Sequence, residues 1–88
     1  MMFNIDFTDS SKIGISKLKR SEPDAYKKLC QLLEELQVNP FSGTGKPKQL
    51  GGDRQGQWSR RITQKHRLVY EIKENTVTVL VTVFSFIS

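Results

Sequence analysis

The residues best able to do chemistry in this chain are cations, and half of them lie in one short segment. Seven of the 14 Lys and Arg residues fall between positions 46 and 67, where the only acid is Asp53. These residues are Lys46, Lys48, Arg54, Arg60, Arg61, Lys65 and Arg67. The other seven basic residues are offset by eight acids, so this segment accounts for the formal net charge of +5. Such a local excess predicts either a surface that binds a polyanion or a solvated basic face.

Other kinds of reactive site find little support in the sequence. The single histidine, His66, falls in the apolar phase of an alternating pattern, which favours a structural role over acid catalysis. The single cysteine, Cys30, cannot form an internal disulfide and has no histidine pattern that would indicate a nucleophile. No Cys, His and Asp cluster has metal-ligand spacing. We therefore predict no metal and no cofactor.

Length and composition limit the kind of protein that must position these cations. The 88 residues predict a single domain spanning residues 1–88, and an apolar fraction of 36% suits a small globular protein. The longest apolar stretch is too short for a membrane span, and residues 1–10 do not resemble a signal peptide. With one cysteine, this composition predicts a cytoplasmic protein without membrane contact.

The N-terminal half predicts a strand followed by two helices. Apolar residues alternate over residues 3–7, which is typical of a half-buried strand. Thr8 or Asp9 can cap a first helix, although this helix is weakly patterned. Ser21 is predicted to cap a second helix, which has proline in its first turn and ends at Asn39.

The C-terminal half predicts a loop followed by three strands. The glycine-rich stretch 42–56 reads as a long connection with room for a short strand at 49–50. The predicted strands are 57–63, 66–72 and 76–86, with a tight turn at Glu74–Asn75. The whole is an α+β fold of order β-α-α-β-β-β, with two N-terminal helices packed on an antiparallel twisted sheet.

The alternation of strand side chains separates the candidate residues. Arg60 and Arg61 point to opposite faces of their strand, so at most one of them can share a surface with Arg67. Trp58, which opens the same strand, either stacks on a nucleic-acid base or packs in the core.

Two segments of the chain resemble a known family. Residues 40–50 are PFSGTGKPKQL, and residues 56–70 are GQWSRRITQKHRLVY. They are similar to the motifs P-F-x-G-x-G-K-P-x-x-L and G-x-W-S-R-R-I-T-x-x-H-R-L-V-Y of the Txe/YoeB toxins, a branch of the RelE/ParE superfamily. The order of elements and the basic balance agree as well, so the resemblance covers essentially the whole chain.

The resemblance implies a RelE-like fold and a cytoplasmic toxin of a toxin–antitoxin pair. Its implied activity is metal-independent cleavage of mRNA in the ribosomal A site by attack of a 2′-hydroxyl on the adjacent phosphate. The implied partners are an acidic antitoxin, the ribosome and mRNA, and a homodimer is left open. Arg67 corresponds to the family's transition-state clamp. The basic segment and the strand pattern predict Arg54, Trp58, Arg60, Arg61 and Lys65 as further RNA-binding residues.

The sequence departs from the family pattern at its acid–base groups. Lys48 stands where the family has a glutamate base, and the family's closing His-Tyr falls on residues 85–86 or 87–88, which hold neither residue type. One explanation is a native tail missing beyond Ser88. A second is lysine-based chemistry of the RelE type, with Lys46 and Lys48 near the phosphate. A third is an inactive homologue that binds antitoxin or ribosomal RNA without cleaving.

Overall fold

The computed structural model describes residues 2–45, 47–52 and 56–81, which form two helices and five strands. The helices are α1 (Asp9–Ser21) and α2 (Pro23–Val38). The strands are β1 (Asn4–Phe7), β2 (Lys48–Gln49), β3 (Gln57–Arg61), β4 (Arg67–Lys73) and β5 (Thr76–Val81). The predicted order of elements is confirmed, with β2 as the short strand within the glycine-rich stretch. The part of the third predicted strand beyond residue 81 lies outside the described residues.

The five strands form one mixed sheet in the order β1-β5-β4-β3-β2. All neighbours pair antiparallel except β1, which lies parallel to β5 with Ile5 opposite Val77. The expectation of a wholly antiparallel sheet is therefore wrong for this one pair. A parallel pair needs a long crossover between its strands, and the helices together with the rest of the sheet supply that connection.

The start of α2 differs from the sequence prediction. Thr8 caps α1 as expected, and its side chain accepts a hydrogen bond from the backbone N–H of Ser11 at 3.1 Å. Ser21, however, is the last residue of α1 rather than the cap of α2. Glu22 occupies the cap position of α2 without a side-chain capping bond, because its carboxylate is bound to His66 instead.

The core lies between the helix pair and one face of the sheet. Leucines from both helices pack against alternate residues of β4 and β5. The buried members are Leu18, Ala25, Leu29, Leu32, Leu36, Ile62, Leu68, Tyr70, Val77 and Val79. Within the described part of the chain, neither helix is long and apolar enough to cross a membrane.

One charged residue is buried at the edge of this core. The Arg60 side chain is 0% exposed, and each of its five N–H donors has an acceptor. Nε donates to the Tyr70 hydroxyl at 3.1 Å, and Nη1 donates to Glu35 Oε1 at 3.0 Å. The three remaining bonds go to backbone carbonyls of the loop after α2, at Asn39 (2.9 Å), Ser42 (2.8 Å) and Thr44 (3.4 Å).

These contacts contradict the prediction that Arg60 binds RNA. A guanidinium with no exposed surface and no free donor cannot reach a phosphate. Its charge is instead balanced by Glu35 and by carbonyl dipoles, as a buried cation requires. Arg60 thereby ties the sheet to α2 and to residues 39–44, which we call the Arg60 loop.

Two glycines, one within the Arg60 loop and one directly after it, let the chain approach the guanidinium and the sheet closely. A Cβ atom on Gly43 would lie 2.5 Å from Glu35 Oε1 and 3.1 Å from an Arg60 nitrogen, and φ at Gly43 is +128°. A Cβ atom on Gly45 would lie 2.7 Å from the backbone oxygen of Arg61. The Gly45 carbonyl also accepts the backbone N–H of Arg61 at 2.7 Å. The spacing of glycines in the motif therefore reflects close packing around Arg60.

The ionisable partners of Arg60 are shifted by this packing. Hydrogen bonds from Thr44, through its side chain and its backbone N–H, hold the pKa of Glu35 below its usual range, and the charge of Arg60 acts in the same direction. Burial raises the pKa of the Tyr70 phenol, with Arg60 acting against it. The neutral phenol donates its proton to the Pro40 carbonyl at 2.9 Å. Tyr70 thus links Arg60 to the start of the loop.

We expect Arg60→Met to lower the free energy of unfolding by about 3–5 kcal/mol, since it leaves Glu35 and three carbonyls without their donor. Urea denaturation followed by circular dichroism measures this loss. Arg61→Met is the matched control, because Arg61 is exposed, and its effect should stay within about 0.5 kcal/mol. If Arg60→Met does not fold, Arg60→Lys keeps the charge and should retain part of the stability. A loss below about 1 kcal/mol in both Arg60 variants would contradict the structural role.

We expect Glu35→Gln to destabilise the protein at pH 7 but to approach the stability of the parent chain in acid. Because the pKa of Glu35 is lowered in the folded state, the stability from its charge is present above its unfolded pKa of about 4.3. That stability is lost as the pH falls through the lower folded value. The effect should be modest, about 1 kcal/mol or less, because the side chain is 35% exposed.

Thermal denaturation of both proteins between pH 7 and pH 3 measures this convergence. Glu34→Gln, at an exposed neighbour on α2, controls for removal of one carboxylate. A stability gap for Glu35→Gln that stays constant down to pH 3 would refute the charge-dependent contribution of Glu35.

Candidate nucleic-acid interface

Three of the candidate cations lie together on the face of the sheet that points away from the helices. Leu68 and Tyr70 on β4 face the core, so the intervening Arg67 and Val69 face the other way. Arg61 is directly opposite Arg67 in the β3–β4 pair. The neighbouring row runs from Lys48 on β2 through Ser59 to Val69. Lys48, Arg61 and Arg67 together are called the basic face below.

The register brings these side chains within reach of one phosphodiester. Residues directly opposite in an antiparallel pair have Cβ atoms about 4.5–5.5 Å apart, and diagonal neighbours about 7–8 Å apart. Arg61 and Arg67 form an opposite pair, and Lys48 is diagonal to Arg61. Lys48 and Arg61 are exposed and Arg67 is half-buried. Ser59 and Val69, which lie in the neighbouring row on the same face, are each only 3% exposed.

The charges of the basic face are not balanced by described acidic residues. The ion pairs in the described part of the chain involve Arg60 and His66, and neither Arg61 nor Arg67 has a carboxylate partner there. Like charges directly opposite in a sheet are destabilising. The nearest acid along β4 on the same face is Glu71, four residues from Arg67 and thus about 13 Å away. The basic face is therefore arranged to gain stability from a bound anion.

Contacts of His66, the last residue before β4, hold the turn that joins β3 to β4. The His66 carbonyl accepts backbone N–H groups of Ile62 and Thr63 at 2.9 and 3.2 Å. The His66 ring is buried, with Nε2 2.6 Å from Glu22 Oε2 at the junction between the helices. Nδ1 has no hydrogen-bond partner among the described residues. This confirms the structural role predicted for His66, and it anchors the chain one residue before Arg67.

The remaining predicted RNA-binding residues are placed differently. Lys65 is exposed in the same turn, next to the basic face. Trp58 faces the helix side, opposite Tyr70, and its ring packs edge-on against Phe41 with centroids 5.6 Å apart. Trp58 therefore does not share a surface with Arg67, and the core alternative is the correct one. The predicted roles of Lys46 and Arg54, and the residues aligned with the family's His-Tyr, lie outside the described residues.

Two further residues position the site, and neither was predicted from the sequence. Glu22 holds His66 across 44 residues of sequence, and Glu35 holds Arg60 across 25. Pairs this distant have no local sequence signal. Among the described residues, no group of three His, Cys, Asp or Glu side chains could hold a metal ion. The chemistry available on the basic face is thus the binding and charge stabilisation of a phosphate by arginine and lysine.

Comparison with known sequences places the chain among bacterial toxins. The family model described as "YoeB-like toxin of bacterial type II toxin-antitoxin system" matches residues 7–86. The chain is 48% identical over 54 residues to Toxin YoeB of Mycobacterium bovis, covering 61% of this chain and 64% of that protein. It thus spans less than two thirds of the mycobacterial relative. It is 33% identical over 76 residues to Toxin YoeB of Synechocystis, covering 86% of this chain and 88% of that protein.

Comparison with solved structures gives the same result. A YoeB/ParE toxin from Agrobacterium tumefaciens superposes with a TM-score of 0.86 at 33% identity, covering 94% of this chain and 99% of that one. The toxin in a heterotetrameric YoeB–YefM toxin–antitoxin complex from Staphylococcus aureus superposes with a TM-score of 0.85 at 28% identity, covering 98% and 100%. Fold, motif and family match agree: the chain belongs to the YoeB-like toxins of bacterial type II toxin–antitoxin systems.

Proposed function

We propose that this protein is a toxin that binds mRNA on the ribosome in the cytoplasm and cleaves it as an endoribonuclease. The observation that carries the proposal is the adjacent pair of Arg61 and Arg67, which has no carboxylate partner in the described part of the chain. Membership of the YoeB-like toxins supports the same function. RNA is the suitable substrate because its own 2′-hydroxyl can act as the nucleophile.

The reaction needs the charge stabilisation that the basic face can supply. The 2′-oxygen forms a bond to the adjacent phosphorus as its proton passes to a base. The bond from phosphorus to the 5′-oxygen then breaks, and that oxygen takes up a proton. The products are a 2′,3′-cyclic phosphate and a free 5′-hydroxyl. Arg67 is proposed to hold the phosphate as negative charge builds on its oxygens, with Arg61 beside it.

Lys48 is the proposed third member of the site. It lies on the same face, diagonal to Arg61, and corresponds to the position of the family's glutamate base. We propose that Lys48 and Lys46 both lie near the reacting phosphate and take part in lysine-based chemistry of the RelE type.

A second candidate function is binding without efficient cleavage. No described residue places an imidazole beside the basic face, because His66 faces the helices. The nearest carboxylate to Arg67 along β4 on the same face is Glu71. A missing general acid or base typically lowers the rate by about 10²- to 10⁴-fold. An inactive homologue that binds antitoxin or ribosomal RNA would keep the fold and the basic face while lacking these groups.

We expect the unmodified protein to bind ribosomes and cleave mRNA weakly, and Arg67→Ala to lower that cleavage by a further 10²- to 10³-fold or so. Primer extension on programmed ribosomes measures cleavage, and co-sedimentation measures binding. Lys73→Ala is the matched control, because Lys73 lies on the same strand and face six residues away, about 20 Å along β4. Its cleavage should equal that of the parent protein.

Lys48→Glu distinguishes the two chemistries in the same assay. An increase in cleavage means that the site lacks a carboxylate base, whereas a decrease means that Lys48 itself takes part. Binding with no detectable cleavage in any variant would support the inactive homologue. Cleavage that Arg67→Ala leaves unchanged would place the active site elsewhere.

We also propose that an acidic antitoxin neutralises this toxin. The Staphylococcus aureus relative was solved with YefM, and another structure of it is described as a dimer. An acidic segment that folds on binding would match the charge of the basic face.

Co-expression with the neighbouring gene, followed by size-exclusion chromatography, should give a stable complex. Combined Arg61→Gln and Arg67→Gln substitutions should weaken it in a salt-dependent way, and the free toxin run alone reports whether it dimerises. Elution of the toxin without its neighbour, or a complex insensitive to these substitutions, would contradict the proposed contact.

A further inference from the structure

A second group of exposed cations lies at the junction of the two helices. Five of the residues between positions 17 and 28 are basic, against the two acids Glu22 and Asp24. The basic residues are Lys17, Lys19, Arg20, Lys27 and Lys28, and all but the half-buried Lys28 are exposed. The overall charge balance hides this group, because acids elsewhere in the chain offset it.

The local charge of the junction is positive, because its five cations outnumber its two acids. The Glu22 side chain is 43% exposed although its carboxylate contacts the buried His66 ring, and Asp24 is exposed as well. Lys19 Nζ lies 5.7 Å from the centre of the Tyr26 ring. A contact of this kind orients the lysine without neutralising it.

The junction adjoins the basic face around one end of the molecule. The 2.6 Å contact between Glu22 and His66 joins the helix junction to the turn between β3 and β4. Arg20 is two residues before Glu22, and Arg67 directly follows His66. The exposed Lys65 lies in the turn between the two groups. Cations therefore continue from the sheet, over the turn, to the end of α1.

The chemistry of the junction fits a nucleic-acid backbone better than a protein. Cores of protein interfaces are enriched in aromatic and apolar residues, whereas nucleic-acid interfaces are more polar and more positive. Among the large exposed apolar side chains of the described residues, Ile13 is the nearest in sequence to the junction cations, one turn before Lys17. Val38 is the last residue of α2 and Phe41 follows it, about 23 Å along the helix from the junction.

We propose that the helix junction, through Lys19 and Arg20, is a second contact surface for the RNA backbone. It holds RNA that flanks the strand bound at the basic face, and so contributes affinity but not chemistry. The inference rests on the proposed function, since it extends the same RNA-binding surface.

The test compares two double variants that each remove two positive charges. Lys19→Gln with Arg20→Gln alters the junction, whereas Lys12→Gln with Lys73→Gln removes exposed lysines elsewhere on α1 and β4.

Binding to purified ribosomes, and to a structured RNA fragment alone, is measured across a salt series. Each lost phosphate contact should reduce the slope of log K against log salt by about 1. We therefore expect a reduction of roughly 2 for the junction variant and none for the control variant. Cleavage should show a raised KM with kcat unchanged, unlike Arg67→Ala.

Each outcome decides between the readings. Equal salt slopes for the junction and control variants would overturn the proposal, and the junction would be a solvated surface. If Arg61→Gln with Arg67→Gln still lowers RNA affinity in that case, the proposed function stands without the second surface. If neither pair affects the slope, both proposals fail. A junction variant that binds RNA normally but loses its antitoxin would reassign the junction to a protein partner. Thermal melts of all variants confirm that each is folded.

Discussion

The burial of the Arg60 guanidinium is the constraint on which the rest of the site depends. A fully buried cation is tolerated only when its charge and all its donors are matched, and breaking such a group costs more than forming it contributes. Here the match requires the end of α2, the Arg60 loop and the Tyr70 hydroxyl to converge on one side chain of β3. Gly43 must lack a side chain for the same reason. The loop and the central strands therefore form as one unit.

Neighbouring arginines take opposite roles because strand side chains alternate. Arg60 points to the helices and stabilises the fold, whereas Arg61 points away and faces Arg67 across the strand pair. Under the proposed function the two requirements oppose each other. Arg60 must have its charge and donors matched, whereas Arg61 must remain unmatched to attract an anion. Placing them at adjacent positions of β3 allows the buried arginine to fix the backbone from which the exposed one projects.

Local patterns in the sequence predicted much of the fold but little of the packing around charge. The cap at Thr8, the end of α2 at Asn39 and the turn at Glu74–Asn75 depend on neighbouring residues, and the structure contains all three. Alternation also correctly separated Arg60 from Arg61. The parallel pairing of β1 with β5 depends on where the helices and the intervening strands place β5. No short segment of the sequence determines that position.

The burial of Arg60 could not be read from the sequence, because arginine is ordinarily a surface residue and its partners come from distant loops. The same holds for Glu22, whose local context predicted no bond to His66. Charge counting therefore identified the segment that places Arg61 and Arg67 on one face of the sheet, but it assigned Arg60 to the wrong side.

The basic face is held by contacts that do not involve its own charges. Arg60 fixes the middle of β3 from the helix side, and the contact between Glu22 and His66 fixes the turn before Arg67. The backbone positions of Arg61 and Arg67 are therefore fixed by contacts on the other side of the sheet. Under the proposed function, a backbone fixed in this way lowers the cost of positioning the two arginines on an anion. The basic face does not distinguish between anions by charge alone, so under the proposed function RNA and an acidic antitoxin compete for the same two arginines. Inhibition then requires only that the antitoxin occupy the basic face, with no change in the conformation of the toxin.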